Sequence, residues 1–191
     1  HFPGLYVVYP SNATDAKALL KAAIRGKDPV LFLEHKGLYR QVYAKGPEGS
    51  ADHLAPIGKA RVAREGSDVT IVTWGALVNK SMNAAKELEK EGVSVEIIDL
   101  RTIVPLDMDC VRQSVEKTGR VLVAHEDTQF MGFGAEIAAQ IGDQCFTVLD
   151  APVRRLGMKY VAAVAHSGPI ENYVLPQNED VLDATRALLA F

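Results

Sequence analysis

The sequence predicts an α/β protein built on a mostly parallel sheet, and three observations carry that prediction. Short apolar runs rich in β-branched residues alternate with stretches of helical spacing along most of the chain. Two of these runs, VTIVT at 69–73 and VLVA at 121–124, are almost continuously apolar, as expected for strands covered by helices on both faces. Near the start, a strand, a helix and a strand follow one another within forty residues, the order of a right-handed parallel unit.

The elements follow in order. Residues 5–9, LYVVY, read as a strand stopped by Pro10, and SNAT at 11–14 supplies capping side chains for a helix on which Ala16, Leu19, Leu20, Ala23 and Ile24 recur at helical spacing. Gly26-Lys27-Asp28-Pro29 ends that helix, and residues 30–33 are a second strand. Two strands and one helix cannot cover both faces of a parallel sheet, so residues 1–40 are expected to close a domain whose other strands lie upstream. The opening HFPGLYVVYP, which runs straight into a strand without a Met, fits the interior of a longer protein. Residues 41–58, with three glycines, two prolines and no periodicity, have the composition of an interdomain linker. Residues 59–191 are expected to form the second domain. Its predicted elements are a strand at 69–73, a helix through Leu77, Ala84, Ala85 and Leu88, a strand at 93–100, and a helix from Asp107. A strand at 121–124, a helix at 134–141, a strand at 146–149 and a last helix at 180–189 complete it.

Composition narrows the function classes. The 21 basic and 24 acidic residues are mixed along the chain and leave a net charge of −3, so neither nucleic acid nor an anionic membrane finds a basic footprint. No apolar run approaches the roughly 20 residues of a membrane helix. Cys110 and Cys145 form neither a C-x-x-C pair nor a disulfide framework, which suits two core thiols in a reducing compartment.

Three motifs suggest chemistry. In Met131-Gly132-Phe133-Gly134-Ala135 the glycines fall at a strand-to-helix turn, where free amides attract anions. Ile137 stands where G-x-G-x-x-G needs its third glycine, so the loop reads as a tight turn, with Glu136 complementing the helix dipole. His125-Glu126-Asp127 could be metal ligands or an acid/base pair, but neighbours on a strand point to opposite faces. Glu34-His35-Lys36 follows a buried strand at the carboxyl end of the parallel unit, where open α/β sheets bind ligands. His1, His35, His53 and His166 are scattered, and Ser167-Gly168-Pro169 is a turn rather than a nucleophile elbow, so no triad assembles. The residues alone therefore yield a fold class and a domain boundary, without a self-contained active site.

Seven segments, in order, carry a resemblance: HFPGLYVVYPS (1–11), DAKALLKAAIR (15–25), DPVLFLEHKGLYR (28–40), GKARVAREGSDVTIVTWG (58–75), VEIIDLRTIVPLD (95–107), GFGAEI (132–137) and LDAPVRR (149–155). Together they resemble the beta subunit of the thiamine diphosphate-dependent 2-oxo acid dehydrogenase decarboxylase component, of pyruvate and branched-chain type. The resemblance implies that residues 1–40 end a pyrimidine-binding domain and that a three-layer α/β/α transketolase C-terminal-like domain follows. It implies a complete enzyme that decarboxylates a 2-oxo acid and passes the acyl group to a lipoyl arm, the cofactor carrying the chemistry. In such an enzyme the catalytic glutamate and histidine lie upstream of this chain, and the alpha subunit, or an alpha half of a fused chain, holds the diphosphate and its magnesium. What remains for this segment is assembly in a heterotetramer with a second beta subunit and with alpha.

Two sites are carried over by the resemblance. Ala23, Ile24, Gly26 and Asp28 match a position where backbone carbonyls bind a structural potassium ion. Asp150, with the C-terminal carboxylate of Phe191, matches groups that dock the basic subunit-binding domain of the dihydrolipoamide acyltransferase. The location implied is the cytoplasm in a bacterium or the mitochondrial matrix in a eukaryote. Gln129-Phe130-Met131 and the stretch 158–169 depart from the family pattern, which has Pro and Gly in the first and a D-T/V-P-x-P segment in the second. The rival expectations are another thiamine diphosphate enzyme, of transketolase or deoxyxylulose phosphate synthase type, and a non-catalytic interaction module.

Overall fold

The structure, a computed structural model, describes residues 2–191, and His1 lies outside them. The chain opens with β1 (Tyr6–Val8), α1 (Ala13–Arg25) and β2 (Val30–Phe32), then passes through short 3-10 turns at Lys36–Leu38 and Val42–Ala44. There follow β3 (Arg61–Arg64), β4 (Val69–Thr73), α2 (Ala76–Lys90), β5 (Val95–Asp99), β6 (Thr102–Val104) and α3 (Met108–Thr118). The last elements are β7 (Val121–Thr128), α4 (Phe133–Gln144), β8 (Arg154–Met158), α5 (Gly168–Val174) and α6 (Asn178–Leu189).

Among the described residues two sheets form, in the orders β2-β1-β6 and β3-β5-β4-β7-β8. In the larger, β4 lies parallel to β5 on one side and to β7 on the other, β8 is parallel to β7, and β3 is an antiparallel edge. Alternate residues of each central strand face opposite ways, so each strand feeds two cores. Ile71, Ile97 and Leu122 pack with Leu77 and Leu88 of α2 and Val181 and Leu188 of α6. Val72, Ile98 and Val123 pack with Val111 and Val115 of α3 and Ile137 and Ile141 of α4. That double demand is why these strands are continuous apolar runs, and it gives the expected three-layer α/β/α arrangement. No helix among the described residues is long and apolar enough to cross a membrane.

A largely buried ionic network ties α1 to the larger sheet. The Asn12 side chain caps α1 by accepting from the Asp15 amide at 2.9 Å. Asp15 receives Arg101 at 3.0 Å and Arg61 at 3.2 Å, Arg61 also reaches Asp99 at 3.1 Å, and the Ser11 hydroxyl donates to Asp99 at 2.5 Å. Burial pushes the Asp99 carboxyl up, against the pull of Ser11 and Arg61. Arg101 adopts the left-handed region at φ 57, a conformation that costs a non-glycine residue of order 1 kcal/mol or more and that its bonds to Asp15 and to the Lys59 carbonyl hold in place. This turn swings the chain out of the larger sheet, so that β6 can pair with β1.

Residues 41–58 run across α1. Thr14 donates to the Pro47 carbonyl at 2.7 Å, Lys17 pairs with Glu48 at 2.6 Å, and Lys21 reaches the Ala51 carbonyl at 2.8 Å, while Ala44 and Ala55 are buried. Side chains of α1 satisfy backbone groups of this segment, which explains how it can be ordered without hydrophobic periodicity.

Three sequence expectations need correction. The strand expected at 146–149 is a 3-10 turn at Phe146–Val148, with Phe146 exposed, and the strand is β8, further on. As an edge strand, β8 carries RRLGM and lacks the apolar run that marks a covered strand. The edge strands β3, RVAR, and β6, TIV, are not among the predicted elements: the first carries arginines as β8 does, and the second is only 3 residues long. Ser167-Gly168-Pro169 is not a simple turn but the start of α5, with Pro in the first turn where its missing N–H is harmless.

Candidate functional site

Ligands of open α/β sheets bind outside the carboxyl ends of the strands where the strand order reverses. Here that point lies between β4, from which the chain goes first to β5, and β7 on its other side. β4 runs into Trp74 and then Gly75, whose φ of 59 makes the sharp entry into α2. β7 continues through His125 and Glu126, which point to opposite sides of the sheet. His125 is fully buried, stacks on Trp74 with ring centroids 5.2 Å apart, and is held below its ordinary pKa by burial. Glu126 faces α2.

The crevice is filled by the chain's own first segment. His35, just beyond β2, places Nε2 2.8 Å from Glu126 Oε2. Lys80 of α2 lies 3.4 Å from the other carboxylate oxygen and donates to the Pro176 carbonyl at 2.6 Å. Tyr9 stacks with His35 at 6.5 Å and lies over Gly75. The hydrogen bond that His35 donates to Glu126 holds its ring above its ordinary pKa against the opposing effect of burial. Burial alone would raise Glu126, but His35 and Lys80 outweigh it and hold the carboxyl below its ordinary value. Burial, with the nearby Glu126 charge, pushes the Tyr9 phenol up to about 12. The arrangement joins β1, β2, α2 and β7 by one charged hydrogen bond and its supports. It works as a latch between the two sheets.

Two motifs that looked unrelated in the sequence thus meet across 91 residues, because each ends a parallel strand. No periodicity announces the pair, and Lys80, the third member, lies on a helix face with no distinguishing neighbours. The signal that could have found His35 and Glu126 is a charged residue at the carboxyl end of each of two predicted parallel strands.

The glycine loop is explained by packing. A Cβ at Gly134 would fall 2.1 Å from His125 Nε2, and one at Gly132 would fall 2.0 Å from the Thr128 carbonyl oxygen. The first turn of α4 also receives a carboxylate of its own, since Asp127 Oδ2 accepts from the Phe133 amide at 3.4 Å. A negative charge already sits where a phosphate would bind, so these residues do not fit the diphosphate of a thiamine cofactor. Among the described residues no three His, Cys, Asp or Glu side chains cluster as metal ligands.

None of the positions carried over by resemblance belongs to the latch. At and just beyond the end of α1, Ala23 is half-buried while Ile24, Gly26 and Asp28 are exposed, and the Gly26 amide donates to the Ala22 carbonyl at 3.0 Å and the Ala23 carbonyl at 3.2 Å. Asp150 Oδ2 lies 3.5 Å from Arg120 and remains exposed. Together with Lys117, Arg120 and Leu189 it lines an open cleft of about 610 Å³. Phe191, just beyond α6, is exposed.

Comparison with known proteins adds the family context. Residues 58–181 match the family described as transketolase, C-terminal domain, and residues 1–42 match transketolase, pyrimidine binding domain. The chain is 44% identical over 189 residues to the 2-oxoisovalerate dehydrogenase subunit beta of Bacillus subtilis (strain 168), and 46% identical over 189 residues to the pyruvate dehydrogenase E1 component subunit beta of that organism. The corresponding Staphylococcus aureus (strain Mu50 / ATCC 700699) subunit is 45% identical over 192 residues. Each match covers 99% of this chain and 57% of the relative, so the chain spans little more than half the length of these proteins. Among solved structures, a split gene transketolase described as an inactive beta4 tetramer superposes with a TM-score of 0.81 at 27% identity, covering 99% of this chain and 59% of the other. A transketolase mutant from Pichia stipitis shares the fold, with a TM-score of 0.65 at 16% identity over 99% of this chain and 26% of its own.

Proposed function

The chain belongs to the transketolase C-terminal domain family, and from that premise we propose that it serves in the beta subunit of the decarboxylase component of a 2-oxo acid dehydrogenase complex. The observation that carries the reading is identity of 44–46% across 99% of the chain to beta subunits of the pyruvate and 2-oxoisovalerate enzymes. The split gene transketolase reaches 27% over the same span, which favours the dehydrogenase reading over the transketolase one. Thiamine diphosphate with magnesium, held by an alpha subunit or alpha half, would supply the carbanion chemistry that decarboxylates the 2-oxo acid.

The role of this segment is assembly and docking. The filled crevice between β4 and β7 supports it, because residues that would line a ligand site are used to hold two sheets together. Asp150, with Phe191, receives the basic subunit-binding domain of the acyltransferase, and the end of α1 at Ala23, Ile24, Gly26 and Asp28 holds a potassium ion through carbonyl oxygens. Helix C-terminal carbonyls suit a cation without help from side chains.

Titration calorimetry of the assembled enzyme against the isolated subunit-binding domain tests the reading. Asp150→Ala, or removal of Phe191, should weaken docking by about tenfold, the effect of losing one charge-assisted contact. Release of carbon dioxide from the 2-oxo acid with an artificial electron acceptor should be unchanged. Unaltered docking affinity in both variants would sink the docking assignment.

A further inference from the structure

We propose that the groove beside the first turn of α1 binds a small carboxylic acid with an apolar body, a role beyond the assembly function above. The groove encloses about 350 Å³, within the roughly 300–1,000 Å³ of small-molecule sites. Its apolar lining comes from Pro10, Ala13 and Ala16 on one side and Leu38 and Ala44 on the other. Three of these five lining residues are alanines, the smallest side chains that still offer apolar surface.

Polar groups line the same groove and their charges are uneven. Arg40 and Lys45 both contribute, and among the described residues neither has an ion-pair partner. Glu34 is the one acid in the lining, and its carboxylate is engaged by the Tyr39 hydroxyl. His35 lines the groove too, with Nε2 committed to Glu126. The N-terminus of α1, capped by Asn12, adds the positive end of a helix dipole. A ligand carboxylate among these groups meets two uncommitted cations, and its hydrocarbon meets the alanine and proline surface. An inorganic anion would use the charges and leave the apolar lining wet. A neutral apolar molecule would leave both cations unanswered.

Chemical-shift titrations of the full chain with 3-methylbutanoate, 3-methylbutanamide and inorganic phosphate separate these cases. The carboxylate should bind saturably with a millimolar dissociation constant, about tenfold or more tighter than either the amide or phosphate. Arg40→Gln and Lys45→Gln remove exposed charges and should each weaken the carboxylate about fivefold or more. Ala16→Leu fills the groove without altering charge and should abolish saturation. Circular dichroism melts confirm that each variant is folded, and the two exposed-charge variants keep the test valid should Ala16→Leu fail to fold. Equal affinity for phosphate and carboxylate, affinity unchanged by both charge substitutions, or no saturation by about 50 mM would each overturn the proposal.

Discussion

The two sheets start from the same kind of strand and end in opposite surroundings. β4, VTIVT, is buried at every position, with α2 and α6 over one face and α3 and α4 over the other. Among the described residues β2, VLF, pairs with β1 alone, and its Leu31 is 49% exposed. On α1, the helix between β1 and β2, Leu20 and Ile24 are also exposed. An apolar strand therefore states a demand for cover, and only the surrounding elements decide whether one chain meets it. The larger sheet meets that demand here, and the smaller one keeps apolar surface bare. The latch at His35 and Glu126 is where the complete sheet supports the incomplete one.

That contrast can be broken at three points. Leu88→Ala, at a fully buried position of α2, should cost about 3 kcal/mol in urea denaturation, the usual penalty for lost contacts plus a residual cavity. A loss below about 1 kcal/mol would mean that the layer of α2 and α6 relaxes freely and that the larger sheet is less complete than its burial implies.

The second is the latch. His35→Gln should cost about 1 kcal/mol, as the charge is lost while a neutral hydrogen bond remains. The cost should depend on pH. Because His35 is held above its ordinary value of 6.5, its stabilisation is fully present below 6.5 and fades as pH rises through the raised value. Glu126 is held below its ordinary 4.5, so its contribution is present above 4.5 and fades as pH falls through the lowered value. The gap between wild type and variant should be widest between those two ordinary values and narrow on the alkaline side. Stability curves that stay parallel from pH 5 to pH 9 would remove the charged pair from the account.

The smallest effect belongs to the smaller sheet. Leu31→Ala should change stability by less than about 0.5 kcal/mol, as expected for a surface position, while reducing self-association seen in light scattering. A larger loss would show that β2 is covered in solution.

How much was legible follows from what each residue does locally. Strands with two apolar faces announced themselves, as did helices with capping residues: Asn12 and Asp107 both accept from backbone amides at the starts of α1 and α3. Edge strands did not, because a half-covered strand such as RRLGM carries its arginines on an open side at little cost. The glycines of GFGA were visible as a turn, but their reason was not. It depends on His125, whose ring occupies the space that a Cβ on Gly134 would need.

The sequence by itself determined the α/β class, the covered strands of the larger sheet and the resemblance that leads to the beta subunits. These rest on local pattern, which one segment expresses without its neighbours. Only the tertiary structure decided that His35, Glu126 and Lys80 form one latch, that residues 41–58 bind across α1, and that Arg40 and Lys45 line one groove. Each depends on which strand ends and helix faces come together in space, and hydrogen bonds and charge pairs of that kind leave no periodic trace along the chain.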